Sequence, residues 1–374
     1  MLGVRVPSAS PLPPSRISLA RAADRRHNPR MAGFCTHCGK PLLERARFCG
    51  VCGHGVPGGP RSGASASAPS STKSSSNSPA PAPARGIPAG LPARYEVSRF
   101  LGKGAVGRVY LCRDTELDVD VAVKILLPEV AANGNAVRKI RKEARAAARL
   151  RKCPGILSLY GFEHSGDSWY LVMEFAPGGT LQDRMQKRGR LSEGECRRIG
   201  AEVAGALAFA HAHEVIHRDI KPANILFSGD GRGMVGDFGL ARVFDDGGTG
   251  PRTVTLAGTP VYMAPEIMLK EKVDGRADLF SLGCTLFEAA TGERAFPGDF
   301  TEMAVAKADR RAPAPDPREA RPDLSEDFSG ILRRLLSADP RKRFPDGDAC
   351  ARALSLGADE TSTKDRGGGS ASSR

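Results

Sequence analysis

Cys35-x2-Cys38 is followed, ten residues on, by Cys49-x2-Cys52. Two such pairs can deliver four thiolates to one tetrahedral zinc ion. Glycines follow Cys38, Cys49 and Cys52, and glycine permits the positive φ that folds a turn back toward sulfur. A segment of about 25 residues cannot build a self-sufficient core, so the metal is expected to supply most of its folding free energy. A filled four-cysteine shell has no open position, which makes the expected Zn2+ structural and not catalytic. His37 and His54 stand beside that shell as spare donors, and Lys40, Arg45 and Arg47 can offset its negative charge.

A second pattern concerns phosphate. Gly102-Lys103-Gly104-Ala105-Val106-Gly107 follows an expected strand over residues 95–101. Glycines let backbone N–H groups approach a phosphate closely. A dinucleotide fold would open a helix here, yet residues 108–113 alternate as another strand. Next comes Val121-Ala122-Val123-Lys124-Ile125-Leu126. A lone lysine in an apolar strand needs partners for its ammonium. Nineteen residues later Glu143 lies on an expected helix over residues 136–150, with Val137, Ile140, Ala144 and Ala147 on one face. Glu143 adjoins that face and could reach Lys124, although Arg138, Lys139, Arg141, Lys142 and Arg145 also surround it.

His217-Arg218-Asp219-Ile220-Lys221-Pro222-Ala223-Asn224 follows, then Asp237-Phe238-Gly239 and Ala264-Pro265-Glu266. With the glycine loop and Val-Ala-Val-Lys, the order and spacing are those of the protein-kinase signature set. Residues 95 to about 356 thus resemble a eukaryotic-like, bacterial-type serine/threonine protein kinase, preceded by a module similar to a zinc ribbon. The resemblance implies an α+β bilobal fold, with an antiparallel-sheet N-lobe over residues 95–173 and a mainly helical C-lobe.

It also implies roles. Moving a γ-phosphoryl group needs alignment and charge neutralisation. Lys124 would hold the ATP phosphates and pair with Glu143 in the active state. Asp237 and Asn224 would hold Mg2+, Asp219 would orient the acceptor hydroxyl and take its proton, and Lys221 would meet the transferred group. Lys221, two residues past Asp219, favours Ser/Thr over Tyr acceptors. Adenine would lie between Val109 and Ala122 on one side and Leu226 on the other, beneath Leu101 and the loop of Gly102, Gly104 and Gly107. Met173 takes the gatekeeper position, and the backbone of Glu174 and Ala176 would bond the adenine edge. Glu266 is expected to pair with Arg343, and Asp278 to hold the catalytic loop. His217 and Phe238 are expected to stack in a spine, which makes His217 a packed histidine and not a base. A buried central helix is expected over residues 195–214.

These groups must be positioned by a chain of 374 residues, 40% hydrophobic and 26% charged, the composition of a protein with an ordinary core. No run approaches 18 uninterrupted apolar residues, so no membrane span is expected. The net charge of +13 is uneven: residues 1–94 hold 13 Lys and Arg against Asp24 and Glu44 alone. Residues 1–30 form a basic arm without the continuous apolar segment of a secretory signal, though transit peptides share such a composition. Met31 is an alternative start to Met1. Residues 31–56 are the cysteine module. Residues 57–94, rich in Gly, Pro, Ala and Ser, read as a flexible linker, and 357–374 as a disordered tail. Cys112, Cys153, Cys196, Cys284 and Cys350 show no pairing pattern, which suits a reducing, cytoplasmic setting.

The expected partners are proteins bearing Ser or Thr, and a protein partner of the ribbon. Phe34 and Phe48 are few aromatics for base stacking, which argues against nucleic acid. The alternative is a pseudokinase scaffold acting through the ribbon. Arg218 beside Asp219 places a cation next to the expected base. Such an arrangement is commonly met by a loop phosphate, here expected at Thr253 or Thr255, with Arg242 assisting. Thr249 lies in the same segment, and Thr259 is expected to contact Asp219 and Lys221 instead. Substrate, input signal and oligomeric state are not written in these residues.

Overall fold

The structure is a computed structural model that describes residues 91–238 and 260–356, with the backbone of two strands nearer the N-terminus. Those strands, β1 (Met31–Phe34) and β2 (Pro41–Leu43), pair antiparallel. The four zinc-ligand candidates Cys35, Cys38, Cys49 and Cys52 lie outside the described residues, as do Arg242, Thr249, Thr253, Thr255 and Thr259.

In the larger unit a five-stranded antiparallel sheet runs in the order β3 (Tyr95–Lys103), β4 (Gly107–Asp114), β5 (Val119–Leu126), β7 (Ser168–Glu174), β6 (Leu159–Ser165). Alternation decides what each strand face meets. Val121, Val123 and Ile125 join Tyr95, Cys112, Tyr170 and Val172 on one side. Ala122 and Leu126 join Leu171, Met173 and helix residues Ile140 and Ala144 on the other. Lys124 lies between Ala122 and Leu126 in the period-two pattern, so it shares their inner face.

After the short α1 (Pro128–Ala131), helix α2 (Gly134–Ala148) begins two residues before its expected start. The cause is Asn133, whose side chain accepts from the N–H groups of Asn135 and Ala136 and fixes the N-terminus there.

The second lobe is mainly helical: α3 (Leu181–Arg188), α4 (Glu193–Ala212), α5 (Pro265–Met268), α6 (Arg276–Thr291), α7 (Phe300–Ala308), α8 (Pro317–Ala320), α9 (Glu326–Leu335) and α10 (Gly347–Leu356). Strands β8 (Ile225–Phe227) and β9 (Gly233–Val235) form a small hairpin. Helix α4 is the one expected over 195–214, set earlier because Ser192 caps it. It ends at Ala212 because Glu214 turns the chain with a φ of 61°. Its Ile199, Val203 and Leu207 pack with Cys350 and Leu354 of α10. The deepest helix is α6, buried almost all round. None of the described helices is long and apolar enough to cross a membrane. Cys112, Cys153, Cys196, Cys284 and Cys350 are all free thiols.

Candidate active site

Between the sheet and the helical lobe lies a cleft of about 840 Å3. Leu101, Gly102, Gly104, Val109 and Ala122 line it from the sheet, and Leu226 from the opposite side. Met173, Glu174 and Ala176 line the strand-to-helix connection. The register sets Val109 opposite Lys124 and Ala122 opposite Met173. Ala176 is buried, yet neither its N–H nor its carbonyl bonds to another described residue. Buried backbone groups are rarely left unpaired, so this edge suits a planar ligand that both donates and accepts.

The glycine loop is closed by a bond from the Gly104 N–H to the Gly107 carbonyl, 2.8 Å. Two of its glycines serve different ends. A Cβ at Gly107 would collide with the Ile125 carbonyl, so that glycine lets β4 lie close on β5. A Cβ at Gly102 would meet nothing within 4 Å, so there the backbone stands open to the cleft.

At the far end of the cleft the chain brings together Asp219, Lys221, Asn224 and Asp237. The Lys221 ammonium donates to Asp219 Oδ2 at 2.7 Å. The Asn224 amide donates to the same oxygen at 3.0 Å and to the Asp219 carbonyl at 2.7 Å. Asn224 thereby spends its NH2 on Asp219 and keeps its carbonyl oxygen uncommitted among the described residues. Lys124, 3% exposed, donates to both oxygens of Asp237 at 2.8 and 2.7 Å. Burial alone would raise the Asp237 carboxyl, but the Lys124 charge and hydrogen bonds outweigh it and hold the group below its ordinary value. The partner the structure gives Lys124 is thus Asp237, where the sequence reading expected Glu143 in the active state.

The loop carrying Asp219 is held from beneath. Asp278, fully buried, accepts from the His217 N–H at 2.8 Å and the Arg218 N–H at 2.7 Å. His217 donates through Nε2 to the Gly236 carbonyl at 2.7 Å and accepts through Nδ1 from the Asp219 N–H at 3.2 Å. Both ring nitrogens are thus committed, and the ring packs edge-on against Phe238, centroids 4.6 Å apart. That is a packed histidine with no lone pair left for a base. Arg218 and Asp237 hold φ values of 67° and 57°, left-handed conformations that cost energy for residues other than glycine. Two such residues beside one carboxylate pair mark the cleft's end as the site the fold is built to maintain. Arg218 Nε is buried without a hydrogen-bond partner among the described residues.

Farther down, Arg343 meets Glu266 with both arms, at 2.6 and 3.0 Å. One supporting residue escaped the sequence reading. His211 donates to Asp278 Oδ2 at 2.8 Å across 67 positions, and its only sequence signal is a histidine in the last turn of a helix.

Comparison with known proteins agrees with this geometry. Residues 95–353 match the family model of the protein kinase domain, and residues 34–56 match that of the zinc-ribbon domain. The chain is 36% identical over 262 residues to the serine/threonine-protein kinase PknB of Mycobacterium tuberculosis, covering 69% of this chain and 42% of that protein. It is 36% identical over 261 residues to a probable serine/threonine-protein kinase PknB of Bifidobacterium longum, covering 67% of this chain and 38% of that protein. The chain thus spans less than half the length of these curated relatives. The crystal structure of the M. tuberculosis PknI kinase domain is similar with a TM-score of 0.56 and 30% identity, covering 73% of this chain and all 100% of that one.

Proposed function

The chain belongs to the protein kinase family, and from that premise we propose that it transfers the γ-phosphoryl group of ATP to Ser or Thr hydroxyls of proteins. The observation that carries the reading is the joined set Asp219–Lys221–Asn224 beside Lys124–Asp237 at one end of the cleft. Asp219 orients the acceptor hydroxyl and takes its proton as the oxygen attacks the γ-phosphorus and the bond from that phosphorus to the β,γ-bridging oxygen breaks, releasing ADP. Lys221, already on Asp219, stabilises charge on the transferred group. Lys124 holds the α- and β-phosphates, joined by Glu143 when the kinase is active. The unpaired N–H and carbonyl of Ala176, with the backbone of Glu174, receive the adenine edge. Leu101, Val109, Ala122 and Leu226 pack on its faces.

The donor set fits Mg2+: the Asp237 carboxylate and the uncommitted Asn224 oxygen are hard ligands. Mg2+ held there would supply charge neutralisation of the phosphates. The zinc-ribbon match supports a structural Zn2+ on Cys35, Cys38, Cys49 and Cys52, with a partner protein as the ribbon's role. Arg218 Nε, without a partner among the described residues, supports Arg218 as the cation that pairs with a phosphate on Thr253 or Thr255. Five free thiols among the described residues support a cytoplasmic setting.

The test is intact mass before and after Mg-ATP, with Asp219→Asn alongside. Phosphates added to the wild type alone support the reading. ATP binding without any phosphate transfer, to itself or to added proteins, refutes it.

A further inference from the structure

Among the described residues two lysines are buried, Lys124 and Lys307, and only the first is explained by the cleft. Lys307 lies in the last turn of α7 and is 0% exposed. Its ammonium donates to the carbonyls of Pro260 at 2.8 Å, Val261 at 2.7 Å and Met263 at 3.0 Å. An ammonium has three donors, and all three are spent on one turn of chain. The rings of Phe280 and Phe296 lie 5.7 and 5.6 Å from Nζ. No carboxylate among the described residues forms an ion pair with it, and burial pushes its pKa below the ordinary lysine value.

Burying an ammonium without a counter-ion costs several kcal/mol. A methionine would fill the same space between two phenylalanines without that cost. The charge is therefore there for the three carbonyls, which nothing else on α7 could satisfy together. Those carbonyls belong to the residues directly after Gly258-Thr259 and directly before Ala264-Pro265-Glu266. Glu266 is itself locked onto Arg343. The short stretch 260–263 is thus pinned from below by Lys307 and from behind by a buried ion pair.

We propose that Lys307 is a positioning residue for the protein-substrate site: by fixing the carbonyls of Pro260, Val261 and Met263 it sets the stretch that enters Ala264-Pro265-Glu266, and so the place of the acceptor hydroxyl beside Asp219 and Lys221. This rests on the kinase reading above. Lys307 lines no part of the cleft, so nucleotide binding is independent of it.

The experiment is steady-state kinetics of the full chain with myelin basic protein as the acceptor probe. Acceptor and ATP are varied separately, for the wild type and Lys307→Met. The expected result is a KM for the acceptor raised at least fivefold, with the KM for ATP within twofold of the wild type. An acceptor KM within twofold, or acceptor and ATP parameters falling together, overturns the proposal. If Lys307→Met does not fold, Lys307→Arg is read in its place. Its planar fork keeps the charge but cannot reach three carbonyls of one turn, so the same split is expected and the same results overturn it. A wild type that transfers nothing to any acceptor defeats the kinase reading itself. A wild type that is active while both variants match it defeats only the role of Lys307.

Discussion

Arg343→Met should unfold this domain more readily than almost any other single change. The Arg343 side chain is 0% exposed and that of Glu266 is 2% exposed. Besides two bonds to Glu266, Arg343 donates to the carbonyls of Ser337 at 2.8 Å and Arg276 at 2.9 Å. Its removal leaves a carboxylate buried without a counter-ion and two carbonyls without that donor. Breaking a buried pair from one side costs about 3–5 kcal/mol, and each orphaned buried carbonyl adds about 1 kcal/mol or more. We therefore expect a loss of about 5–7 kcal/mol, a large part of the roughly 5–15 kcal/mol that holds a domain folded. At about 2–4 °C per kcal/mol for a domain of this size, the melting temperature should fall by about 10–28 °C. The assay is urea and thermal unfolding followed by circular dichroism, on Arg343→Met, Glu266→Gln and the double variant. Because the damage in the single variant is an unpaired charge, the double should be more stable than Arg343→Met alone. A loss under about 1 kcal/mol in Arg343→Met, or losses that simply add in the double, would falsify this account.

Three further outcomes are expected. Asp278→Asn turns an amide NH2 toward donors that now meet carboxylate oxygens. Losing about 1.5–3 kcal/mol of loop positioning should lower kcat by about tenfold to a hundredfold while ATP affinity, read by calorimetry, stays unchanged. Bonds from the Arg341 guanidinium and its backbone N–H hold the Asp339 carboxyl down to about 2. Its folded pKa lies below the unfolded value, so its contribution to stability is complete above pH of about 4 and lost as pH falls toward 2. Acid titration of unfolding should show a shallower loss in that window for Asp339→Asn, and identical curves would contradict it. Finally, Thr253→Ala with Thr255→Ala should cut activity toward added protein at least tenfold, about 1.4 kcal/mol. A doubly substituted chain as active as the wild type removes those residues from regulation.

What could be read from residues alone was whatever depends on local backbone chemistry. The glycine loop, the lysine strand and the Asp219–Asn224 turn each declare themselves within eight residues, because phosphate approach and metal ligation need particular groups at short spacing. Helix α4 was legible because one apolar stripe recurs along it. Helix α6 was not, because a helix buried nearly all round has no polar face to set a period. The partner of Lys124 was also out of reach. Asp237 lies 113 positions away, and only the closing of one lobe on the other decides between it and Glu143. Lys307 was hidden for a related reason: its acceptors are main-chain carbonyls, which leave no trace in residue type.

The pairing of Lys124 with Asp237 has a thermodynamic consequence. Each group is the other's counter-ion, so a phosphate that recruits the ammonium strips a carboxylate of its partner, and a divalent cation that recruits the carboxylate strips an ammonium. Either exchange alone leaves one of the two groups without its counter-ion. Made together, they conserve the number of ion pairs and strand neither. Nucleotide and metal should therefore bind with positive linkage, each tightening the other by the same factor. That factor is readable by titrating ATP with and without magnesium, and magnesium with and without ATP, and the two ratios must agree.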